Sequence, residues 1–122
     1  MGELAIRDLD FEAATRLDAT PELRLVGSAD TAIVKQLAAL IEELHGRLVS
    51  AGVRDIVVDI RSLEFMNASC FNVLVNWLGL IHELEPHQRY RLHFTTNHSI
   101  PWQRRSLHTL SCFATDLVVV EG

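Results

Sequence analysis

Apolar residues recur along this chain in several distinct rhythms. Between Thr31 and Val49, Ile33, Val34, Leu37, Leu40, Ile41, Leu44 and Leu48 follow one another in steps of three and four. That spacing predicts a helix with one apolar face. Lys35, Gln36, Glu42, Glu43 and Arg47 fall mostly off the stripe, Asp30 is a natural N-cap, and Ala51-Gly52 ends the run. Between about Ser69 and Glu85 the pattern is denser. Phe71, Leu74, Val75, Leu78 and Ile81 form one apolar stripe, and Cys70, Val73, Trp77, Leu80 and Leu84 form another beside it. Only Asn72, Asn76, Gly79 and Glu83 make a polar strip. This second helix is therefore expected to be mostly buried, with Trp77 and Leu80 in the core, until Pro86 stops it.

The strand rhythms are shorter. Ile56, Val57, Val58 and Ile60 form a β-branched run, the pattern of a strand covered on both faces. Tyr90 to Thr95 alternates, Leu117 to Val120 is a terminal apolar run, and Leu23 to Val26 has strand character closed by Gly27. Leu4 to Leu9 can be a strand, and Phe11 to Leu17 a second short strand or a turn. Asn97-His98-Ser99-Ile100-Pro101 reads as a helix start with proline in the first turn. In the helix that follows, Trp102, Leu107, Leu110 and Phe113 are expected to face inward and Arg104 and Arg105 outward. The order is β (or ββ), α, β, α, β, α, β. It predicts a single α/β domain with a mixed, mostly parallel sheet of four to five strands packed against helices. The connection from strand 56–60 through the second helix to strand 90–95 should be a right-handed crossover.

Composition narrows the range of functions. A chain of 122 residues implies one domain, and 48% apolar content supplies a core. A net charge of -5 argues against a nucleic-acid binder and fits a dispersed, soluble protein. No apolar run reaches membrane-span length, and Met1 to Arg7 lacks a signal-peptide plan. Gly2 is followed by Ile6 where a myristoylation site needs Ser or Thr. Cys70 and Cys112 have neither metal nor disulfide spacing and sit in apolar sequence, so free thiols in the cytoplasm are expected. The histidines at 45, 82, 87, 93, 98 and 108 show no ligand pairing and read as scattered surface residues. No nucleophile–base pair and no phosphate loop is present, so no metal, cofactor or catalytic site is expected. Asp59 reads as a structural carboxylate at a strand end.

One corner concentrates the remaining signal. Arg61 to Met66 carries the chain over the end of strand 56–60, and Asn67-Ala68-Ser69 brings two N-cap residue types to the start of the second helix. Strand-to-helix turns of open α/β sheets lie at the carboxyl ends of the strands, where sites gather. A hydroxyl at the positive end of a helix favours anion chemistry. The plainer role for Ser69 is that of an N-cap, worth ~1 kcal/mol. Cys70 there is either a thiol of lowered pKa or a small buried filler.

Leu25-Val26-Gly27-Ser28-Ala29-Asp30, Val57 to Met66 and Asn67-Ala68-Ser69-Cys70-Phe71 together resemble the STAS family, that of sulfate-transporter C-terminal domains and bacterial anti-sigma factor antagonists. The first matches the family's strand ending in Gly-Glu-Leu-Asp. The last lies on its Asp-Ser-Ser-Gly-Leu motif, with Asn67 in place of the acid, Ala68 of the first serine and Cys70 of the glycine. The resemblance runs from about Leu23 to Val120. It implies a non-enzymatic regulator in which Ser69 is the phospho-acceptor and the partner is an anti-sigma factor that is also a serine kinase. The implied contact surface is Asn67, Ser69, Asn72, Val73 and Asn76. Two alternatives stay open: an unphosphorylated adaptor subunit of a transporter or signalling assembly, and a sensor of small anions or nucleotides. A homodimer is compatible with either.

Overall fold

The computed structural model describes residues 4–18 and 20–121. Among these, six strands form a single sheet in chain order, β1-β2-β3-β4-β5-β6. β1 (Ala5–Arg7), β2 (Phe11–Arg16) and β3 (Glu22–Ala29) are antiparallel neighbours. β3, β4 (Asp55–Met66), β5 (Arg91–Thr95) and β6 (Val118–Glu121) are parallel. The mixed, mostly parallel α/β sheet is thus as expected, but with more strands than the four to five read from the sequence. The difference is the amino-terminal hairpin, whose weak alternation gave a poor strand signal. β3 also runs past Gly27 to Ala29. Gly27 has φ +96°, and a Cβ there would overlap the Asp10 carbonyl. That carbonyl accepts the Ser28 N–H at 2.7 Å, which closes the hairpin onto β3.

The helices are α1 (Val34–Ala51), α2 (Ala68–His82) and α3 (Pro101–Phe113). α1 is entered by a 3-10 turn, Thr31–Ile33, on which Asp30 Oδ1 accepts the Ala32 N–H at 2.9 Å. It ends at Gly52, whose φ of 68° lets its N–H reach the Leu48 and Val49 carbonyls. Each parallel strand is added on the same side of its predecessor. Right-handed crossovers then put every helix on one face of the sheet. α1 indeed packs on α2 and α2 on α3.

The core fills the space between that helix layer and one sheet face. Leu23, Val58 and Phe94 are cross-strand neighbours, as are Ile56 and Leu92, and all are buried. Leu37, Leu44, Leu74, Trp77, Ile81 and Leu107 meet them from the helices. The alternate positions Glu22, Arg24, Asp55, Val57, Arg91 and His93 lie on the other face, which no helix covers. Strand 56–60 is therefore covered on one face only, and Val57 is half-buried rather than buried. The open face is laced with charge. Asp55 Oδ1 lies 2.7 Å from His93 Nε2 and 3.1 Å from Arg91 Nε, and His93 Nδ1 lies 3.4 Å from Glu121. The hydrogen bond from His93 and the Arg91 charge hold the Asp55 carboxyl below its usual range.

Three further expectations change. Phe113 is 57% exposed instead of facing the core, and Cys112 beside it is also exposed. Both lie off the buried stripe that runs along α3 through Gln103, Leu107 and Leu110 to Ala114. The histidines are not all surface bystanders either, since His45 and His93 are half-buried and hydrogen-bonded.

His45 belongs to a polar network under the helices. Trp77 Nε1 donates to the Tyr90 hydroxyl at 2.7 Å, and that hydroxyl lies 2.7 Å from His45 Nδ1. Trp77 and Tyr90 are fully buried. With the indole donating to it, the Tyr90 hydroxyl satisfies its own proton only if Nδ1 accepts, which requires neutral His45. Burial holds the His45 pKa below its ordinary 6.5, against an opposing pull from Glu83. The unfolded chain therefore takes up the proton first as pH falls. Stability should be fully present above the unfolded value and decline below about pH 6.5. Urea titrations between neutral and acid pH should show this slope, and Tyr90→Phe, which leaves His45 buried, should keep it. That variant should also lose about 1–3 kcal/mol at neutral pH, because the Trp77 N–H is left buried and unpaired.

Candidate functional site

β4 is the longest strand, and it shapes the corner. Its register with β3 slips twice, between Arg24 and Val26 and between Gly27 and Ser28. Each slip inserts one extra residue into β4, which bends the strand as β-bulges do. Asp59 sits at the first slip. Its Oδ1 accepts both the Arg61 N–H and Arg61 Nε at 3.0 Å, and its Oδ2 accepts Arg61 Nη2 at 2.9 Å. Those bonds hold the Asp59 carboxyl below its usual range. Asp59 is structural, as expected, but it braces a bulge within the strand. Residues 61–66, read from the sequence as a turn, are the bulged continuation of β4.

β5 covers β4 only as far as the Asp59–Thr95 pair. Beyond it, side chains take the place of a strand. Gln103 Nε2 donates to the Ile60 and Leu63 carbonyls at 2.7 and 3.0 Å, and its Oε1 accepts the Asn97 N–H at 2.8 Å. Asn97 Nδ2 donates to Arg61 O at 3.1 Å, and Trp102 Nε1 to Glu64 O at 2.7 Å. Gln103 has no exposed surface. It was missed in the sequence, although a glutamine four residues before Leu107 and seven before Leu110 on one helix face signals a buried polar clamp.

Met66 then delivers the chain to α2. The N-cap is Asn67, whose Oδ1 accepts the Cys70 N–H at 2.9 Å. Its Nδ2 donates to Thr31 Oγ1 at 2.8 Å, and its own N–H donates to Ala29 O at 2.9 Å. Cys70 Sγ donates to Asp30 O at 3.2 Å. The start of α2 is thus stitched to the chain that leads from β3 into α1. Thr31 escaped notice because its role appears only when two carboxyl-end turns meet. Burial pushes the Cys70 thiol up to about 11, with a further contribution from the Asp30 charge. Cys70 is a buried filler and not a reactive thiolate.

Ser69 is not the cap. It occupies the second helical position, exposed, and among the described residues its hydroxyl has no protein hydrogen-bond partner. The first-turn N–H groups of Ala68 and Ser69 are left to solvent, because the Asn67 cap serves Cys70. Asn72 and Asn76 continue the exposed strip below Ser69, and Asn67 is half-buried at its head. Val73 departs from the sequence expectation of a contact residue. At 7% exposure it packs in the core beneath the strip. Phe65, in the stretch expected to be a turn, is instead near the end of β4 and 49% exposed. Among the described residues no group of His, Cys, Asp and Glu is arranged to hold a metal ion, and no helix is long and apolar enough to cross a membrane.

A crystal structure of an anti-sigma factor antagonist from Mycobacterium paratuberculosis has the same fold. The TM-score is 0.61 at 15% identity, over 93% of this chain and 90% of that one. No protein-family model matches the chain, and no curated protein matches it significantly. The STAS-type fold suggested by the motif residues is therefore the fold of this chain, shown by its architecture at only 15% sequence identity.

The cap should be measurable directly. Asn67→Ala removes the Cys70 bond and the Thr31 tie together, and should cost ~1–2 kcal/mol in urea unfolding. Asn67→Asp keeps the cap acceptor but loses the donor to Thr31, so it should cost less.

Proposed function

We propose that this chain is a non-enzymatic regulatory domain of the anti-sigma factor antagonist type, and that its partner docks over the amino end of α2 with Ser69 at the centre. The partner is an anti-sigma factor that is also a serine kinase. Unmodified Ser69 permits the complex, and phosphorylation of Ser69 dissolves it. One observation carries the reading: Ser69 holds an exposed hydroxyl at a helix start where the structural work of capping is already done by Asn67. A serine with no structural employment is free to be a contact and an acceptor.

The physics of such a switch follows from the site. Phosphoserine brings about -1.5 to -2 charge at neutral pH. The uncapped N–H groups and the helix dipole tolerate that charge, so the domain keeps its shape. The cost falls on the partner, as repulsion and lost packing over Ser69, Asn72 and Asn76. The two free thiols suit a reducing compartment, and cytoplasmic residence belongs to the same proposal.

A second reading, the unphosphorylated adaptor, draws on Asn67. Its amide donates to Thr31, which a carboxylate at that position could not do. The acid of the switch motif has here been exchanged for a structural tie.

Ser69→Asp should weaken binding to the cognate kinase–anti-sigma factor at least about tenfold, or 1.4 kcal/mol, while urea stability stays within about 0.5 kcal/mol of the parent. Ser69→Ala should still bind. Calorimetric titration of both variants decides it. Equal affinity of Ser69→Asp and the parent would refute the switch. A stable complex that leaves Ser69 unphosphorylated by mass spectrometry after incubation with ATP would favour the adaptor.

A further inference from the structure

The opposite end of the sheet carries a feature that the Ser69 corner does not use. A cavity of about 340 Å³ opens where β4 and β5 begin, lined by Arg54, Asp55, Pro86, Arg89, Arg91, Asp116 and Leu117. Arg91 N–H donates to Arg54 O at 3.0 Å, which holds the two strand starts side by side. Three arginines and two aspartates therefore line one small space, on a chain whose net charge is -5.

Their charges are unequally compensated. Asp55 is committed to Arg91 at 3.1 Å and to His93 at 2.7 Å. Asp116 lies 3.6 Å from His82. Among the described residues Arg54 and Arg89 have no carboxylate partner. Arg89 donates through Nη2 to the His82 carbonyl at 2.8 Å, which fixes it at the carboxyl end of α2. Its Nε is buried with no hydrogen-bond partner, alone among the buried side-chain nitrogens and oxygens described. A half-buried cation held in place and left uncompensated is costly unless something supplies negative charge.

We infer that this cavity is an anion site for a phosphate group, either the free ion or a small phosphomonoester. The lining sets three guanidinium groups against the carboxylates of Asp55 and Asp116, so it keeps an excess of positive charge for an anion, and phosphate oxygens suit the planar fork of arginine. The volume is at the small end for ligand pockets, and the lining offers no aromatic ring for a base to stack on. A nucleotide is therefore a poor fit. The site lies at the start of β4 and the carboxyl end of α2, so the length of α2, roughly 20 Å at the helical rise, separates it from Ser69. It makes no use of the docking proposal.

The test is a titration of the isotope-labelled chain with inorganic phosphate at constant ionic strength, followed through backbone amide resonances. Saturable shifts centred on Arg54, Arg91 and Leu117 are expected, with the Ser69 region unmoved. Arg54→Gln, which removes a side chain with no hydrogen bond in the fold, should weaken binding about tenfold, the worth of one charge-assisted contact. Arg89→Gln should weaken it as well, with some loss of stability from the uncapped end of α2. Glycerol phosphate binding more tightly than phosphate would identify the ester as ligand, and equal binding the free ion. The inference is overturned if shifts fail to saturate by about 10 mM phosphate, if chloride reproduces them, or if Arg54→Gln leaves them unchanged.

Discussion

The corner of this molecule depends on a strand that outruns its neighbour. β5 stops pairing at Asp59, while β4 continues to Met66, so the far part of β4 has carbonyls facing α3 with no strand to serve them. Buried backbone acceptors must be satisfied. Gln103, Asn97 and Trp102 do it from α3 and the turn before it. The two bulges opposite β3, the first braced by Asp59, set the bend that carries the overhang to α2. On the β3 side the same overhang is held by the Ala29–Met66 pair and by the Asn67 N–H on the Ala29 carbonyl, so the start of α2 is fixed from both sides.

The second layer of constraint is the stitching at Asn67. One side chain caps α2 and ties it to Thr31, while Cys70 reaches the Asp30 carbonyl from the next turn. Two adjoining carboxyl-end turns thus behave as one body. In the proposed mechanism this rigidity has a purpose. A charge placed on Ser69 meets a platform that does not yield, so its effect is transmitted outward to whatever is docked there. Val73, buried beneath, holds the strip in place but is not presented by it.

Much of this was legible in the residues. The long periodicities of α1 and α2 placed both helices to within a few positions, the β-branched and apolar runs placed β4 and β6, and the alternation from Tyr90 to Thr95 placed β5. The corner itself was visible from the switch-like run Asn67 to Phe71. What escaped was set by relationships between distant segments. The weak alternation of Phe11 to Arg16 makes sense only as an edge hairpin beside β3. Coverage of strand 56–60 on both faces was misjudged because a β-branched run looks alike whether one or two helix layers face it. The order of strand addition, and not local pattern, put every helix on one side. The burial of Val73 has a similar reason: it depends on the rotation of α2 against the sheet, which is not written in the local sequence.

The central claim is that the Ser69 corner is a fixed platform whose signal is confined to its surface. Comparison of the backbone amide spectra of the parent and a Ser69→Asp chain, without any partner, tests it directly. The account predicts shifts restricted to residues 67–73 and to the stitched turn at 29–31, with the Trp77 indole resonance and the β4–β5 amides unmoved. Shifts spreading through the sheet, or a displaced Trp77 resonance, would mean that charge at Ser69 rearranges the fold and would contradict the account.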